Sequence, residues 1–225
     1  MKILATGAQR LIEELKLKLS SVEHELTEVE YTKLSQTDLN GYDVIFDLNF
    51  DDHPFHLKYY ASLNCPVIVS AVKMQLAQAV HVYQGSIACT LIGFNALPGF
   101  INRNLAEVSL FQKTDEPALI NIMQKLQWNY KLVEDRVGMV TPRVLFMIIN
   151  EACYTLQEGT AGLKDIDTSM KLGTNYPFGP FEWADLIGIE EVYETLMAVY
   201  EDTKAERYKI CPLLKSLYLK RGTFY

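Results

Sequence analysis

Residues 138–188 decide the fold, and they read GMVTPRVLFMIINEACYTLQEGTAGLKDIDTSMKLGTNYPFGPFEWADLIG. Apolar side chains recur in this stretch at spacings that cover one broad face of a helix; they are Val144, Leu145, Met147, Ile148, Ala152 and Leu156. Gly159 is a helix terminator, and Asp165 places an acidic residue in the first turn of a second helix. In residues 175–180, two prolines fix φ and one glycine permits conformations that its neighbours cannot adopt. The stretch therefore predicts two helices followed by a rigid turn.

The first 135 residues alternate short apolar runs with segments of helical periodicity. The predicted strands are 3–5, 25–31, 44–48, 67–70, 88–94, 107–112 and 131–134. The predicted helices are 11–19, 55–63, 74–83 and 117–126. Strands that alternate with helices of roughly ten residues predict a parallel, doubly wound, Rossmann-like sheet. From residue 137 onward the pattern is helical, so we expect an α/β domain at 1–136 and an all-α domain at 137–225.

The composition narrows the possible partners. Of 225 residues, 49% are hydrophobic and 22% are charged, so the chain can bury a core and is not expected to be disordered. A net charge of −7 argues against a nucleic-acid partner, and no apolar stretch is long enough to predict a membrane span. The first residues read as a strand and a turn rather than as a signal peptide. The scattered cysteines Cys65, Cys89, Cys153 and Cys211 are expected to be buried thiols in a reducing cytoplasm.

The second half of the chain resembles the C-terminal domain of the 3-hydroxyacyl-CoA dehydrogenases. The motifs that carry the resemblance are G-x-x-x-x-R-x-x-x-x-x-x-N-E-A at 138–152, D-I-D-x-x-M-K-L-G at 165–173 and Y-P-x-G-P-x-E at 176–182. The resemblance implies an NAD-binding Rossmann-like domain in front of the helical domain, here shortened because few residues separate the second and third predicted strands. It also implies an acyl-CoA-type ligand and a homodimer that forms through the helical domain.

The loop after the first predicted strand is the expected cofactor loop, and it departs from the family pattern. A dinucleotide fingerprint needs three small positions, for a tight turn, for close approach of the pyrophosphate and for packing of the helix on the strand. Gly7 fills the first position, but Gln9 and Ile12 stand at the other two. Arg10 and the amides of the helix N-terminus could still hold an anion. NAD is thus the cofactor that the resemblance implies, and the loop argues against tight binding.

The catalytic motif of the family, similar to G-x-H-F-F-N-P-x-x-x-x-x-L-x-E-V, aligns without gaps onto residues 93–108. In the family the histidine takes the proton of the 3-hydroxyl group, and the glutamate orients that histidine. Glu107 stands at the glutamate position, but Asn95 stands at the histidine position. A carboxamide cannot accept a proton near neutral pH, so Asn95 can serve binding or polarisation but not acid–base relay.

Two more positions drift from the family pattern. Lys73 falls at the position of a functional serine, where we expect a solvated surface lysine or a contact with a CoA phosphate. Pro142 replaces a substrate-contacting asparagine, and the neighbouring Thr141 offers a hydroxyl group instead. Residues 51–56 contain two histidines, but their spacing fits no standard metal-ligand set, so we expect an exposed turn.

Two functions stay open at this level. The first is a family protein of fatty-acid and acyl-CoA metabolism that is catalytically impaired and binds an acyl-CoA-like ligand. The alternative is an active NAD-dependent oxidoreductase that converts 3-hydroxyacyl-CoA to 3-oxoacyl-CoA with a rearranged site. Whether the chain is an enzyme depends on which of the two is correct.

Overall fold

A computed structural model describes all residues from 1 to 225, which divide into two compact units, Met1–Met139 (unit 1) and Val140–Tyr225 (unit 2). None of the helices combines the length and the apolar character needed to span a bilayer. The domain boundary expected after residue 136 stays a prediction.

Unit 1 is a seven-stranded sheet with helices between the strands. Its strands are β1 (Lys2–Thr6), β2 (Glu25–Glu28), β3 (Val44–Asp47), β4 (Val67–Ser70), β5 (Leu91–Phe94), β6 (Leu105–Leu110) and β7 (Asn129–Leu132). Its helices are α1 (Gln9–Leu19), α2 (Tyr31–Leu34), α3 (Leu57–Tyr60), α4 (Leu76–Tyr83) and α5 (Glu116–Leu126). Single 3₁₀ turns occur at Phe50–Asp52, Pro54–His56 and Lys113–Asp115. The strand order is β2-β1-β3-β4-β5-β6-β7, which confirms the Rossmann-like α/β class.

The sequence predicts a parallel sheet, and this prediction is wrong for one pair of strands. Strand β6 runs antiparallel to β5, while every other neighbouring pair is parallel. The physical reason is the connection, because β5 and β6 are joined only by the loop 95–104 and a parallel return needs a crossover of a dozen or more residues. Apolar periodicity reports burial and not strand direction, so the sequence pattern could not show this reversal.

The centre of the sheet is buried on both faces. Every residue of β3, β4 and β5 is buried, as expected for strands that are covered by helices on either side. On one face, α1 and α5 supply the apolar side chains that pack on the strands. Those side chains are Leu11, Ile12, Leu15, Leu19, Leu119, Ile122, Met123 and Leu126.

Several predicted elements of unit 1 are shorter than expected, including the strand predicted at 88–94, which begins only at Leu91. Strand β2 ends at Glu28 rather than at residue 31, because Tyr31 begins the short helix α2 and its hydroxyl group turns toward Asp47. The helix predicted at 55–63 is a 3₁₀ turn followed by the single α-helical turn of α3. Pro54 opens that turn, where its fixed φ suits the start of a helical segment.

Unit 2 is all α-helical apart from one 3₁₀ turn, as predicted. Its helices are α6 (Thr141–Gln157), α7 (Leu163–Thr174), α8 (Pro180–Ile187), α9 (Ile189–Thr203) and α10 (Pro212–Lys220), with the 3₁₀ turn at Glu206–Tyr208. The predicted rigid turn separates α7 from α8. Within it, Asn175 adopts a left-handed φ of 58°.

The start of α8 is held by a buried carboxylate. Asp167 accepts hydrogen bonds from the backbone N–H groups of Phe181 (2.9 Å) and Glu182 (3.2 Å), which a helix of this kind otherwise leaves unsatisfied. A Cβ on Gly179 would lie 2.1 Å from Cγ of Asp167, so only glycine fits there. The hydroxyl group of Tyr225 donates to the same carboxylate at 2.8 Å. Asp167 thereby ties the turn, α8 and residue 225 together.

Candidate active site

Asn95 lies directly after β5 and is 3% exposed. Its backbone N–H donates to the carbonyl oxygen of Glu107 at 3.1 Å, which continues the antiparallel pairing of β5 and β6. Its side-chain Oδ1 is buried and has no hydrogen-bond partner. The structure therefore places the two residues of the catalytic motif on neighbouring strands, with an unsatisfied acceptor at the position where the family has a histidine.

Glu107 is a partly buried residue of β6, close to a cation. Burial lowers the pKa of the Arg103 guanidinium, and the negative charges of Glu107 and Glu14 oppose that shift. The cation near Glu107 is thus a permanently charged guanidinium, which does not exchange a proton near neutral pH. Glu107 therefore lies within electrostatic reach of a cation in the loop that follows Asn95.

The loop that follows Asn95 is held in place from helix α1. The carboxylate of Glu14 accepts the N–H of Gly99 with both oxygens at 2.9 Å, and Arg103 Nε donates to the Gly99 carbonyl oxygen at 3.1 Å. The guanidinium of Arg103 also stacks 3.8 Å from the ring centroid of Phe100. Gly99 has a φ of 78°, a conformation that favours glycine. The loop beside Asn95 is therefore held through both backbone polar groups of Gly99.

The expected cofactor residues Gly7, Gln9 and Arg10 all lie at the junction of β1 and α1. Gly7 has a φ of 153°. The exposed side chain of Gln9 donates to Glu13 at 2.6 Å, within the same helix. Arg10 is exposed and lies 4.0 Å from the carboxylate of Glu14.

Lys73 is not the solvated surface lysine that we expected. Its side chain is 12% exposed, and its ammonium group lies 3.2 Å from the carboxylate of Asp52. The backbone beside it is held by Asp51, which accepts from Ser70 Oγ (2.5 Å) and from the N–H groups of Val72 (3.1 Å) and Lys73 (3.2 Å). Burial raises the pKa of Asp51 to about 6, against the opposing effect of these hydrogen bonds. The sequence does not reveal these contacts because Asp51 follows β3, whereas Ser70 is the last residue of β4.

The histidine-containing segment 51–56 is not an exposed turn either. His56 is 4% exposed, and its Nδ1 lies 3.0 Å from Oδ2 of Asp47, which is fully buried at the end of β3. The hydroxyl group of Tyr60 donates to the same oxygen at 2.9 Å, and that of Tyr31 donates to Oδ1 at 3.1 Å. His56 is therefore buried because an acceptor on a neighbouring element offers it a hydrogen bond.

The remaining two candidates lie in unit 2, at the start of α6. Thr141 is partly buried, and Pro142 is buried in the first turn, a position where the missing N–H costs nothing. Both residues belong to unit 2.

Two residues that matter for the site were missed. Glu14 holds the loop after β5, and Oδ1 of Asn49 accepts a hydrogen bond from the N–H of Ala8 in the cofactor loop at 2.7 Å. Asn49 follows the buried run 44–48, and side chains at the carboxyl ends of parallel strands face the ligand edge of such sheets. That position is the signal that could have identified it.

Comparison with known proteins supports the resemblance. Residues 138–222 match the sequence model of the family described as 3-hydroxyacyl-CoA dehydrogenase, C-terminal domain. A 3-hydroxybutyryl-CoA dehydrogenase of Bradyrhizobium diazoefficiens is 39% identical over 98 residues, which cover 44% of this chain and 33% of that protein. A probable 3-hydroxybutyryl-CoA dehydrogenase of Bacillus subtilis is 36% identical over 121 residues, which cover 52% of this chain and 42% of that protein. The chain thus matches less than half the length of each of these relatives.

Structural similarity to known proteins covers both units. A crystal structure of an (S)-3-hydroxybutyryl-CoA dehydrogenase from Ralstonia eutropha superposes with a TM-score of 0.75 at 19% identity, covering 98% of this chain and 94% of that one. At this identity the superposition shows a shared fold and no more. Together with the match of residues 138–222, it leads to one conclusion: these residues form a 3-hydroxyacyl-CoA dehydrogenase C-terminal domain, and the chain is similar in fold to such an enzyme.

Proposed function

We propose that this protein acts in acyl-CoA metabolism, binds an acyl-CoA-like ligand and is catalytically impaired. The observation that carries the proposal is Asn95 at the histidine position of the catalytic motif, beside the retained Glu107. A positioned acid–base group typically contributes about 10²–10⁴-fold to rate, and a carboxamide does not supply that contribution.

The buried Oδ1 of Asn95 supports a binding role. A buried acceptor without a donor costs about 1–3 kcal/mol, so a site that keeps one gains when a ligand supplies the missing donor. A 3-hydroxyl group is such a donor, and the amide nitrogen of the same side chain can donate to a thioester carbonyl oxygen. Both interactions bind a 3-hydroxyacyl or 3-oxoacyl thioester without moving a proton.

The alternative is an active NAD-dependent oxidoreductase that converts 3-hydroxyacyl-CoA to 3-oxoacyl-CoA. Its support is the retained Glu107 on β6, together with NAD as the cofactor expected of the family. It requires another group to take the proton. Arg103, whose pKa responds to the charge of Glu107, is a poor candidate because a guanidinium is a poor base.

Binding and turnover of the purified protein separate the two functions. Thermal unfolding with acetoacetyl-CoA and with CoA alone is expected to show a saturable rise in Tm with the thioester. With acetoacetyl-CoA and NADH, loss of nicotinamide absorbance is expected to be at least about 10²-fold slower than for an active relative assayed in parallel. A rate within about tenfold of that relative would establish the alternative, and no thermal shift with any CoA ester would refute the proposed ligand.

A homodimer through unit 2 and a cytoplasmic location complete the proposal. Unit 2 exposes large apolar side chains, among them Leu172 on α7, which is 82% exposed, and it carries a mainly apolar cavity of ≈ 410 Å³ between α6 and α7. Exposed apolar surface of this kind is typical of association sites. The four cysteines are free thiols, three of them buried, as is common in a reducing compartment.

A further inference from the structure

The cofactor expected of the family needs free backbone amides at the start of α1. In a dinucleotide-binding fold, the pyrophosphate sits on the N–H groups of the loop and of the helix N-terminus, and small residues let it approach. In this protein the N–H of Ala8 already donates to Oδ1 of Asn49 at 2.7 Å. An oxygen atom of the protein thus accepts the hydrogen bond that a pyrophosphate oxygen would otherwise accept.

The loop also lacks space on the side of β3. A Cβ on Gly7 would lie 2.9 Å from Cβ of Leu48 and 3.4 Å from Oδ1 of Asn49. The first loop and the segment after β3 are therefore in direct contact. At the third small position, Ile12 is 4% exposed and packs in the core of unit 1. A side chain at that position keeps helix and sheet further apart than the glycine of the fingerprint allows.

Asn49 is held in position by its own backbone. Its N–H donates to the hydroxyl oxygen of Tyr31 at 3.1 Å, while that hydroxyl group donates to Oδ1 of Asp47 at 3.1 Å. Burial and the charge of Asp47 raise the pKa of Tyr31, so the hydroxyl group stays protonated and keeps donating. Asp47 is fixed in turn by His56 and Tyr60. A chain of hydrogen bonds that reaches the buried Asp47 therefore presents Asn49 to the loop.

We propose that Asn49 closes the nucleotide loop from within, so that unit 1 does not take a dinucleotide. The side-chain amide of Asn49 binds the Ala8 amide in place of a phosphate oxygen, and the Tyr31–Asp47 contacts hold it there. The inference rests on the family assignment, which makes NAD the expected cofactor, and not on the chemistry of Asn95. It excludes the oxidoreductase alternative by a route that is independent of the missing histidine.

Direct titration tests the exclusion. Nicotinamide fluorescence of NADH, measured against the full-length protein, is expected to show no saturable change up to millimolar NADH. Saturable binding with Kd below about 0.1 mM would overturn the proposal. Because thermal shifts with CoA esters are measured separately, their loss would refute the proposed function and leave the closure of the loop untouched.

Amide hydrogen exchange tests the contact itself. In the wild-type protein the Ala8 amide is expected to be protected, and Asn49→Ala is expected to speed its exchange by at least about tenfold. Asn49→Asp keeps an acceptor and should retain the protection, and Asn121→Ala, at an exposed position of α5, should leave Ala8 unchanged. Unprotected exchange at Ala8 in the wild-type protein would show that the contact does not form in solution.

A gain of binding tests whether Asn49 is the cause of exclusion. Gln9→Gly alone restores the second small position but leaves the Ala8 amide occupied, so no NADH binding is expected. The double variant Gln9→Gly, Asn49→Ala frees that amide and is expected to bind NADH in the millimolar range. Equal behaviour of the single and the double variant would overturn the role assigned to Asn49. Thermal melts of each variant verify that it is folded.

Discussion

At position 95 the side chain is an amide whose Oδ1 is buried without a hydrogen-bond donor. An imidazole there would carry a proton near neutral pH, whereas the amide has no titration in that range. The negative charge of Glu107 acts on the guanidinium of Arg103 in the adjoining loop. At the scale of single residues, the Asn95 side chain is therefore suited to hydrogen bonding and not to proton transfer.

Restoring the imidazole should restore activity only when the cofactor can bind. Asn95→His alone is expected to give no increase in NADH oxidation with acetoacetyl-CoA, because the nucleotide loop stays closed. Added to Gln9→Gly, Asn49→Ala, it should raise that rate by about 10²-fold, the usual contribution of a positioned acid–base group. The measurement is initial rate at the nicotinamide band, with Asn102→His at an exposed position of the same loop as control. An increase from Asn95→His alone would show that NAD reaches the site.

Asp51 predicts a pH dependence of stability. Its pKa is about 6 in the folded chain against an ordinary value of 3.8, so the folded state binds its proton more tightly than the unfolded state does. The stability that this group contributes is complete below pH 3.8 and is lost as pH rises through 6. Between pH 4.5 and 7.5, Asp51→Asn should flatten the fall in unfolding free energy by about 1–2 kcal/mol.

Urea titrations of both proteins at several pH values measure that difference. The matched control is Glu23→Gln, an exposed carboxylate of unit 1. Parallel pH profiles for the wild type and Asp51→Asn would contradict the assignment of the raised pKa to this carboxyl group.

At the scale of elements, the turn before α8 depends on close contact between a glycine and a carboxylate. Because a Cβ on Gly179 would lie 2.1 Å from Asp167, Gly179→Ala must displace the carboxylate that caps α8. We expect a loss of about 2–4 kcal/mol in unfolding free energy. Gly173→Ala is the control, since this glycine lies in α7 with no atom within 4 Å of the added Cβ. It should stabilise the helix by about 0.5–1 kcal/mol, and equal melting curves for the two variants would refute the contact.

At the scale of the whole molecule, the proposed homodimer gives a prediction for unit 2. Sedimentation of the wild-type protein should show a dimer, and Leu172→Glu should convert it to monomer by placing a charge in an apolar interface. Leu219→Glu, at another exposed apolar position on α10, serves as the control and should leave the dimer intact. A monomeric wild-type protein at micromolar concentration would contradict the homodimer.

The sequence predicted the sheet well where local signals suffice. Strand β4 occupies the predicted residues 67–70, because a short apolar run between turn residues is typical of a strand buried on both faces. The sequence did not predict contacts between residues that are distant in the chain. The burial of His56 depends on Asp47, and the occupied amide of Ala8 depends on Asn49, 41 residues away. No periodicity within a window of residues contains such pairings.

The short edge strand β2 has a consequence for how the protein behaves in concentrated solution. A sheet that stops at an edge offers unpaired backbone groups to another molecule, and charge at that edge discourages such docking. Here the edge strand β2 has only four residues, and Glu28 at its end forms an ion pair with Lys16 at 2.7 Å. Exchanging this glutamate for an apolar residue would leave the native contacts of the sheet intact while inviting chain-to-chain strand addition. The glutamate at the edge of the sheet thus disfavours association between copies of this protein.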